Sequence, residues 1–222
     1  MSTPFLTKYA PSSLSEIVLA SPHSEQIIKA FATGYKSGHL LLWGSQGTGK
    51  SSIASMLPNA IEGVEIEPHV IHASAIRSIV DLLTDIAGLR GFSGFYGGKF
   101  GRFYLVVEEL AFNNENCSRF WVEIEKIQKD SMVIITTNYP NKVDRSIRSR
   151  CECLEIQAAS PAQFLPRAKF ILNQEGFHLP DEDLLGVLSE VVHLHDNRKY
   201  LQRLETLIAD YRMEADAANL VP

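Results

Sequence analysis

Residues 44–51 read Gly-Ser-Gln-Gly-Thr-Gly-Lys-Ser. A phosphate loop of this pattern is credible only where a strand enters it and a helix leaves it. Both neighbours are present. His39-Leu40-Leu41-Leu42-Trp43 is a short apolar run bounded by glycines, and Ser52-Ile53-Ala54-Ser55-Met56-Leu57 opens a helical stretch. Gly44, Gly47 and Gly49 let the backbone curl so that successive amides face inward. Those amides, with the positive end of the following helix, cradle phosphates. Lys50 would reach the β- and γ-phosphates, and the Ser51 hydroxyl would ligate Mg²⁺. Gln46, Thr48 and Ser52 complete the set of nucleotide-binding positions. The chain is therefore read as binding a nucleoside triphosphate.

Strand-like apolar runs recur at 39–43, 70–72, 103–107, 132–136 and 153–156, with helical spacing between them at 22–33, 50–57, 75–87 and 115–128. Alternation of this kind indicates a parallel sheet with helices on its faces, whose ligands bind at the carboxyl ends of the strands. After Ile156 the pattern changes. Ser160-Pro161-Ala162-Gln163 is a helix start, with Ser as N-cap, Pro at the first helical position and Gln three residues on. Leu184, Leu185, Leu188, Val191 and Val192 form one apolar stripe, and Leu201, Leu204, Ile208 and Tyr211 another. The expectation is an α/β domain over 1–157 with a five-stranded parallel sheet, a small three-helix domain over 158–212, and a loose tail over 213–222. The stretch 88–102 holds six glycines and four aromatics beside Arg90, Lys99 and Arg102. It is read as a mobile loop, its aromatics either tucked onto the sheet or stacking on single-stranded nucleic acid.

Charge and composition narrow the classes. A net charge of −5 excludes a protein that coats DNA by bulk charge, so any nucleic-acid contact needs a local stripe of Arg and Lys. No apolar run approaches the ~20 residues that span a bilayer. Met1-Ser2-Thr3-Pro4-Phe5-Leu6 lacks the basic head and apolar core of a secretory signal. The three cysteines, Cys117, Cys151 and Cys153, are an odd count that suits a reducing compartment, here read as the cytoplasm. Cys151 and Cys153 are read as structural residues of a strand, one side chain per face.

Downstream of the loop, Phe103-Tyr104-Leu105-Val106-Val107 ends in Glu108-Glu109. Acids at this strand end hold the Mg²⁺ shell and position the attacking water, and spacing gives Glu108 the metal role and Glu109 the base role. Met132-Val133-Ile134-Ile135-Thr136 ends in Thr137-Asn138, where Asn138 can bond the γ-phosphate or the water. Arg145, Arg148 and Arg150 cluster before the next strand. They either contact a phosphate across a subunit boundary or pair with acids.

Taken together, these residues resemble the AAA+ clamp-loader ATPases, the replication factor C small subunits and their archaeal and phage counterparts, over about residues 5–212. Lys8-Tyr9-Ala10-Pro11 is similar to the segment lining that family's adenine pocket, which implicates Tyr9 and Pro11. Val70-Ile71-His72-Ala73-Ser74 resembles the strand after its phosphate loop, and Thr137-Asn138 its sensor 1. Ser149-Arg150-Cys151 matches the motif whose arginine reaches a neighbouring subunit's γ-phosphate. Asp196-Asn197-Arg198-Lys199-Tyr200-Leu201 looks like the sensor 2 helix start, with Arg198 contacting the nucleotide in cis.

The resemblance implies an ATPase using ATP and Mg²⁺, assembled as a homo- or hetero-oligomer, acting on primer–template or single-stranded DNA with a sliding clamp or other replisome proteins, and without a membrane partner. Arg77 and Arg119 are the candidate DNA-phosphate contacts, each equally readable as a solvated surface arginine. Two departures from the family stand out. Glu108 replaces an Asp, and a displacement of roughly an ångström can cost ~10²-fold in rate, so slow hydrolysis is expected. The chain is also expected to lack the family's helical collar domain. Two alternatives stay open: a helicase-loader or initiator-type AAA+ protein, which Leu41-Leu42-Trp43-Gly44 also resembles, and a weakly hydrolysing scaffold that uses ATP for assembly.

Overall fold

A computed structural model describes residues 4–72, 98–110 and 131–219. The helices expected at 75–87 and 115–128, Cys117 and most of the 88–102 stretch lie outside the described residues. Within them the chain runs α1 (Phe5–Lys8), a 3-10 turn (Leu14–Glu16), α2 (Pro22–Ala32), β1 (His39–Trp43), α3 (Lys50–Glu62), β2 (His69–His72), β3 (Phe103–Glu108) and β4 (Ser131–Thr137). It continues through a 3-10 turn (Pro140–Lys142), α4 (Arg145–Arg148), β5 (Cys151–Glu155), α5 (Pro161–Gln174), α6 (Asp181–Ser189), a 3-10 turn (Val192–Leu194) and α7 (Asn197–Asn219).

The described chain falls into two compact units. One comprises Ser21–Gly44 and Gly49–Ile156; the other comprises Met1–Ala20, Ser45–Thr48 and Gln157–Pro222. The α/β unit is the expected five-stranded sheet, all parallel, in the order β2-β3-β4-β1-β5. Its central strands are buried on both faces, which is why they read as continuous apolar runs rather than alternating ones. Leu40, Leu41 and Leu42 of β1 and Val133, Ile134 and Ile135 of β4 are fully buried. Helix α3 packs on β3 and β4 through Ile53, Ala54, Leu57 and Ile61. The sequence reading stops this helix at Leu57, before Pro58, yet it continues to Glu62 and ends at Gly63, whose φ of 71° closes it.

Register fixes the functional edge. Trp43 pairs with Thr137 on one side and Glu155 on the other, and His72 pairs with Glu108. Parallel strands put all these residues, and Gly44 after Trp43, at the carboxyl edge of one sheet. Cys151 and Cys153 do not occupy opposite faces as expected. Residues two apart on a strand share a face, and the Cys153 thiol lies 3.4 Å from Arg148 O. Burial pushes the Cys151 thiol up to about 12.

The helical unit closes over one core made by Phe164, Ala168, Ile171 and Leu172 of α5, Leu184 and Leu188 of α6, and Tyr200, Leu204 and Ile208 of α7. Helix α5 starts with the capping box read from sequence: Gln163 N donates to Ser160 Oγ at 3.3 Å and Ser160 N to Gln163 Oε1 at 3.0 Å. On α7 the buried stripe begins at Tyr200 instead of Leu201, because the phenol has a partner: its hydroxyl donates to Ala159 O at 2.8 Å. Tyr211 is 40% exposed. Residues 213–219, expected to be a loose tail, continue α7 as helix. Met213-Glu214-Ala215-Asp216-Ala217-Ala218 contains no glycine or proline to stop it.

Candidate nucleotide site

The loop between β1 and α3 has the backbone its glycines predict. Gly44, Gly47 and Gly49 have φ of 145°, 71° and 96°, a region that side-chain-bearing residues rarely enter. At Gly44 a second constraint operates, since a Cβ there would sit 2.3 Å from Ile156 O. Gly49 is the N-cap of α3, and Lys50 and Ser51 occupy its first turn. Lys50 is only 8% exposed, and its ammonium donates to Gly44 O at 3.0 Å. The cation thus reaches back across the whole loop to its first carbonyl. Thr48 is fully buried and donates to Ser45 O at 3.1 Å. Its hydroxyl is therefore committed within the loop. Gln46 and Ser51 are exposed and Ser52 is half-buried.

The loop's middle, Ser45–Thr48, belongs to the helical unit and is bonded within it. Ser45 Oγ donates to His195 O at 2.9 Å, and Asn197 N donates to Gly47 O at 3.2 Å. The Asp196 carboxylate lies against Gly47 so closely that a Cβ at that position would fall 1.6 Å from Oδ1. Asp196 also caps α7, accepting from Arg198 N at 2.8 Å and from Arg198 Nε at 3.4 Å. Arg198 is otherwise exposed. His195 adopts φ of 50°, which turns the chain into this clasp. Tyr9 and Pro11 lie in the same unit. Tyr9 is 5% exposed, its ring packs against Phe5 at 4.7 Å, and its hydroxyl donates to Glu175 at 2.5 Å. Its ring is committed to the helical core. Pro11 is half-buried.

At the sheet's carboxyl edge, β3 ends in Glu108 and then turns sharply. Glu109 has φ of 57°, an αL conformation that a non-glycine residue holds only at some cost. Two bonds from β4 sustain it. Glu109 N donates to Thr136 Oγ1 at 3.3 Å, and Leu110 N donates to Thr136 O at 3.0 Å. The turn leaves the Glu109 side chain exposed while Leu110 is buried. Thr137 Oγ1 accepts from Tyr139 N at 3.1 Å, shaping the turn on which Asn138 sits half-buried. The Glu108 carboxylate is engaged by His72 Nδ1 at 2.9 Å. Serine hydroxyl and carboxylate are hard oxygen donors of the kind Mg²⁺ takes, so Ser51 and Glu108 fit that ion chemically.

Arg150 is exposed just after α4, where Asp144 caps the helix through Ser146 N at 2.7 Å and Ile147 anchors it in the core. One guanidinium nitrogen donates to Ser146 O at 3.1 Å. Arg77 and Arg119 lie outside the described residues. Thr136, His72 and Asp196 stand in the sequence motifs but carry no role of their own there. The doubled Thr136-Thr137 before Asn138 and a histidine ending an apolar strand were the available signals.

A parallel sheet with a glycine-built phosphate loop after its first strand and acids ending its third is a phosphate-loop nucleotide-binding fold. Its shape matches the FIGL-1 AAA domain solved in complex with ADP, with a TM-score of 0.66 over 92% of this chain and 76% of that one at 16% identity. Residues 7–119, just over half of the chain, match the family described as "Protein of unknown function (DUF815)", and the chain belongs to that family. It is also similar to replication factor C subunits, as the motif resemblance implies. Identity is 25% over 213 residues to replication factor C subunit 3 of Schizosaccharomyces pombe, covering 94% of this chain and 60% of that protein. It is 25% over 194 residues to the replication factor C small subunit of Methanosphaera stadtmanae, covering 85% and 58%. The chain thus spans less than two thirds of the length of either relative.

Proposed function

We propose that this chain is an ATP-dependent switch of the clamp-loader kind, hydrolysing ATP at boundaries between protomers to act on DNA in replication or repair. The observation carrying the reading is the Lys50 ammonium drawn across a positive-φ glycine loop, in a sheet where Glu108 ends β3 with Glu109 after it and Asn138 follows β4. Lys50 and the loop amides bind the triphosphate and spread its charge. Glu109 orients and deprotonates the attacking water from its exposed αL position, and Asn138 holds that water or the γ-phosphate. Ser51 and Glu108 are the residues that would hold Mg²⁺, which neutralises phosphate charge when bound. Arg198 is the proposed cis contact to the nucleotide, and Tyr9 and Pro11 the proposed base-proximal residues. Arg150, exposed in a single protomer, is the proposed trans contact to a neighbour's γ-phosphate. Arg77 and Arg119 are proposed to meet the DNA backbone, which would make binding salt-dependent and indifferent to sequence.

The test is ATP turnover with and without primed DNA and a sliding clamp, alongside solution mass by light scattering. The reading expects turnover stimulated by DNA together with ATP-dependent assembly. ATP-dependent assembly without turnover would support the scaffold alternative instead. Absence of both would overturn the proposal.

A further inference from the structure

We propose that His72 is a positioning residue for Glu108, fixing the carboxylate of this longer acid where it serves the Mg²⁺ shell. The inference rests on Glu108 holding that place. Strands β2 and β3 are adjacent and parallel, and His72 and Glu108 are direct partners in their register. Partners on neighbouring strands lie about 4.8 Å apart with side chains on the same face, so an imidazole can reach a carboxylate beside it. His72 Nδ1 lies 2.9 Å from Glu108 Oε2.

Exposure limits what this contact can do. The His72 side chain is 60% exposed and that of Glu108 16%. A contact from so exposed a partner adds little to folding, since water competes for it. Its consequence is orientational. Glutamate has one more rotatable bond than aspartate, and the imidazole removes that freedom before any cation arrives. It engages one oxygen of the carboxylate, and partners of this kind around metal ligands change metal affinity by 10–100-fold when removed.

The test compares H72A, H72N, E108A, E108D and H72A/E108D. A non-hydrolysable ATP analogue is titrated with and without Mg²⁺, and Mn²⁺ binding to the same complexes is followed by electron paramagnetic resonance. H72A should lose about tenfold of the metal-dependent gain in nucleotide affinity and of Mn²⁺ affinity, with metal-free nucleotide affinity unchanged. H72N keeps an N–H at the δ position and should restore most of the loss. In the E108D background, removing His72 should change nothing further, because the shorter acid does not reach it. If E108A loses the metal-dependent gain while H72A keeps it, the role of His72 is overturned and that of Glu108 stands. Equal effects of H72A in both backgrounds would also overturn it. If E108A keeps the full gain, the placement of Glu108 fails and this inference falls with it.

Discussion

Glu62 is an acid on a helix that is 2% exposed, and replacing it with glutamine should be among the most damaging isosteric changes in this chain. Its Oε2 accepts from Phe100 N at 2.7 Å and Gly101 N at 3.0 Å, and its Oε1 from Tyr104 OH at 2.7 Å and Arg102 N at 3.3 Å. Three donors come from the segment that leads into β3 and the fourth, Tyr104, from β3 itself, the strand that ends in Glu108. Burial pushes the Glu62 carboxyl up, but the Tyr104 hydroxyl and the amides of Phe100, Arg102 and Gly101 outweigh it, holding it below the usual carboxylate range. Glutamine offers one carbonyl oxygen and an amide that cannot accept. Turned either way, it serves one pair of donors. If the oxygen faces Phe100 and Gly101, the Tyr104 hydroxyl can rotate to accept from the amide, but Arg102 N–H is orphaned. Losing charge assistance in the retained bonds costs about 1 kcal/mol each, and the orphaned donor about 1–3 kcal/mol. Relief from burying a charge offsets part of this, leaving a net loss of about 3 kcal/mol. At this chain length that lowers Tm by roughly 6–12 °C, readable by scanning calorimetry at pH 7. A depressed folded-state value stabilises above the ordinary carboxylate range, and that contribution is lost as pH falls through the folded value. The gap between wild type and E62Q should therefore narrow below about pH 4.5. A shift under 2 °C at pH 7, or a gap that widens in acid, would refute the reasoning.

Gly44→Ala should abolish nucleotide binding and lower Tm, because its Cβ would meet the main chain at Ile156 O; unchanged titration of a fluorescent nucleotide would contradict this. Gly47→Ala meets a side chain instead, so shortening it in G47A/D196A should recover part of the Tm lost in G47A. Lys8, then Tyr9 and Arg212, hold the Glu175 carboxyl at about 2. Its contribution is present above about pH 4.5 and lost towards pH 2; with Lys8 and Arg212 half-exposed it amounts to about 1–2 kcal/mol. Denaturant midpoints at pH 6 and 3.5 should show E175Q converging on wild type in acid. R150A and E109Q should each lose at least about 10²-fold in turnover. Mixed together they should exceed the sum of the two if, as proposed, one protomer supplies the base and its neighbour the guanidinium. A mixture that stays at the sum would contradict action in trans.

The sheet was legible because its strands are buried on both faces, so Leu40–Leu42 and Val133–Ile135 carry an unbroken apolar signal, and the glycine loop announces its own backbone. The helical unit was legible from its capping box and stripes, with one slip: Tyr200 hides a polar atom and so looked less like core than Leu201. What was not legible depends on distant chain. Glu62 reads as a surface acid until residues some forty positions later donate to it. His72 and Glu108 are 36 residues apart and meet only through strand register. The clasp of His195–Asn197 on Ser45 and Gly47 joins segments about 150 residues apart, and no local pattern encodes it. Glu109 looked like half of an acidic pair; its αL backbone comes from the β4 bonds to Thr136.

The account stands on one grip, that of the 44–51 loop on a triphosphate. Calorimetric titration of ATP with Mg²⁺ into wild type and K50A tests it most directly. Saturable one-site binding by wild type, weakened at least about tenfold in K50A at unchanged Tm, is the expected result. Equal binding by the two proteins, or no binding by wild type, would contradict it.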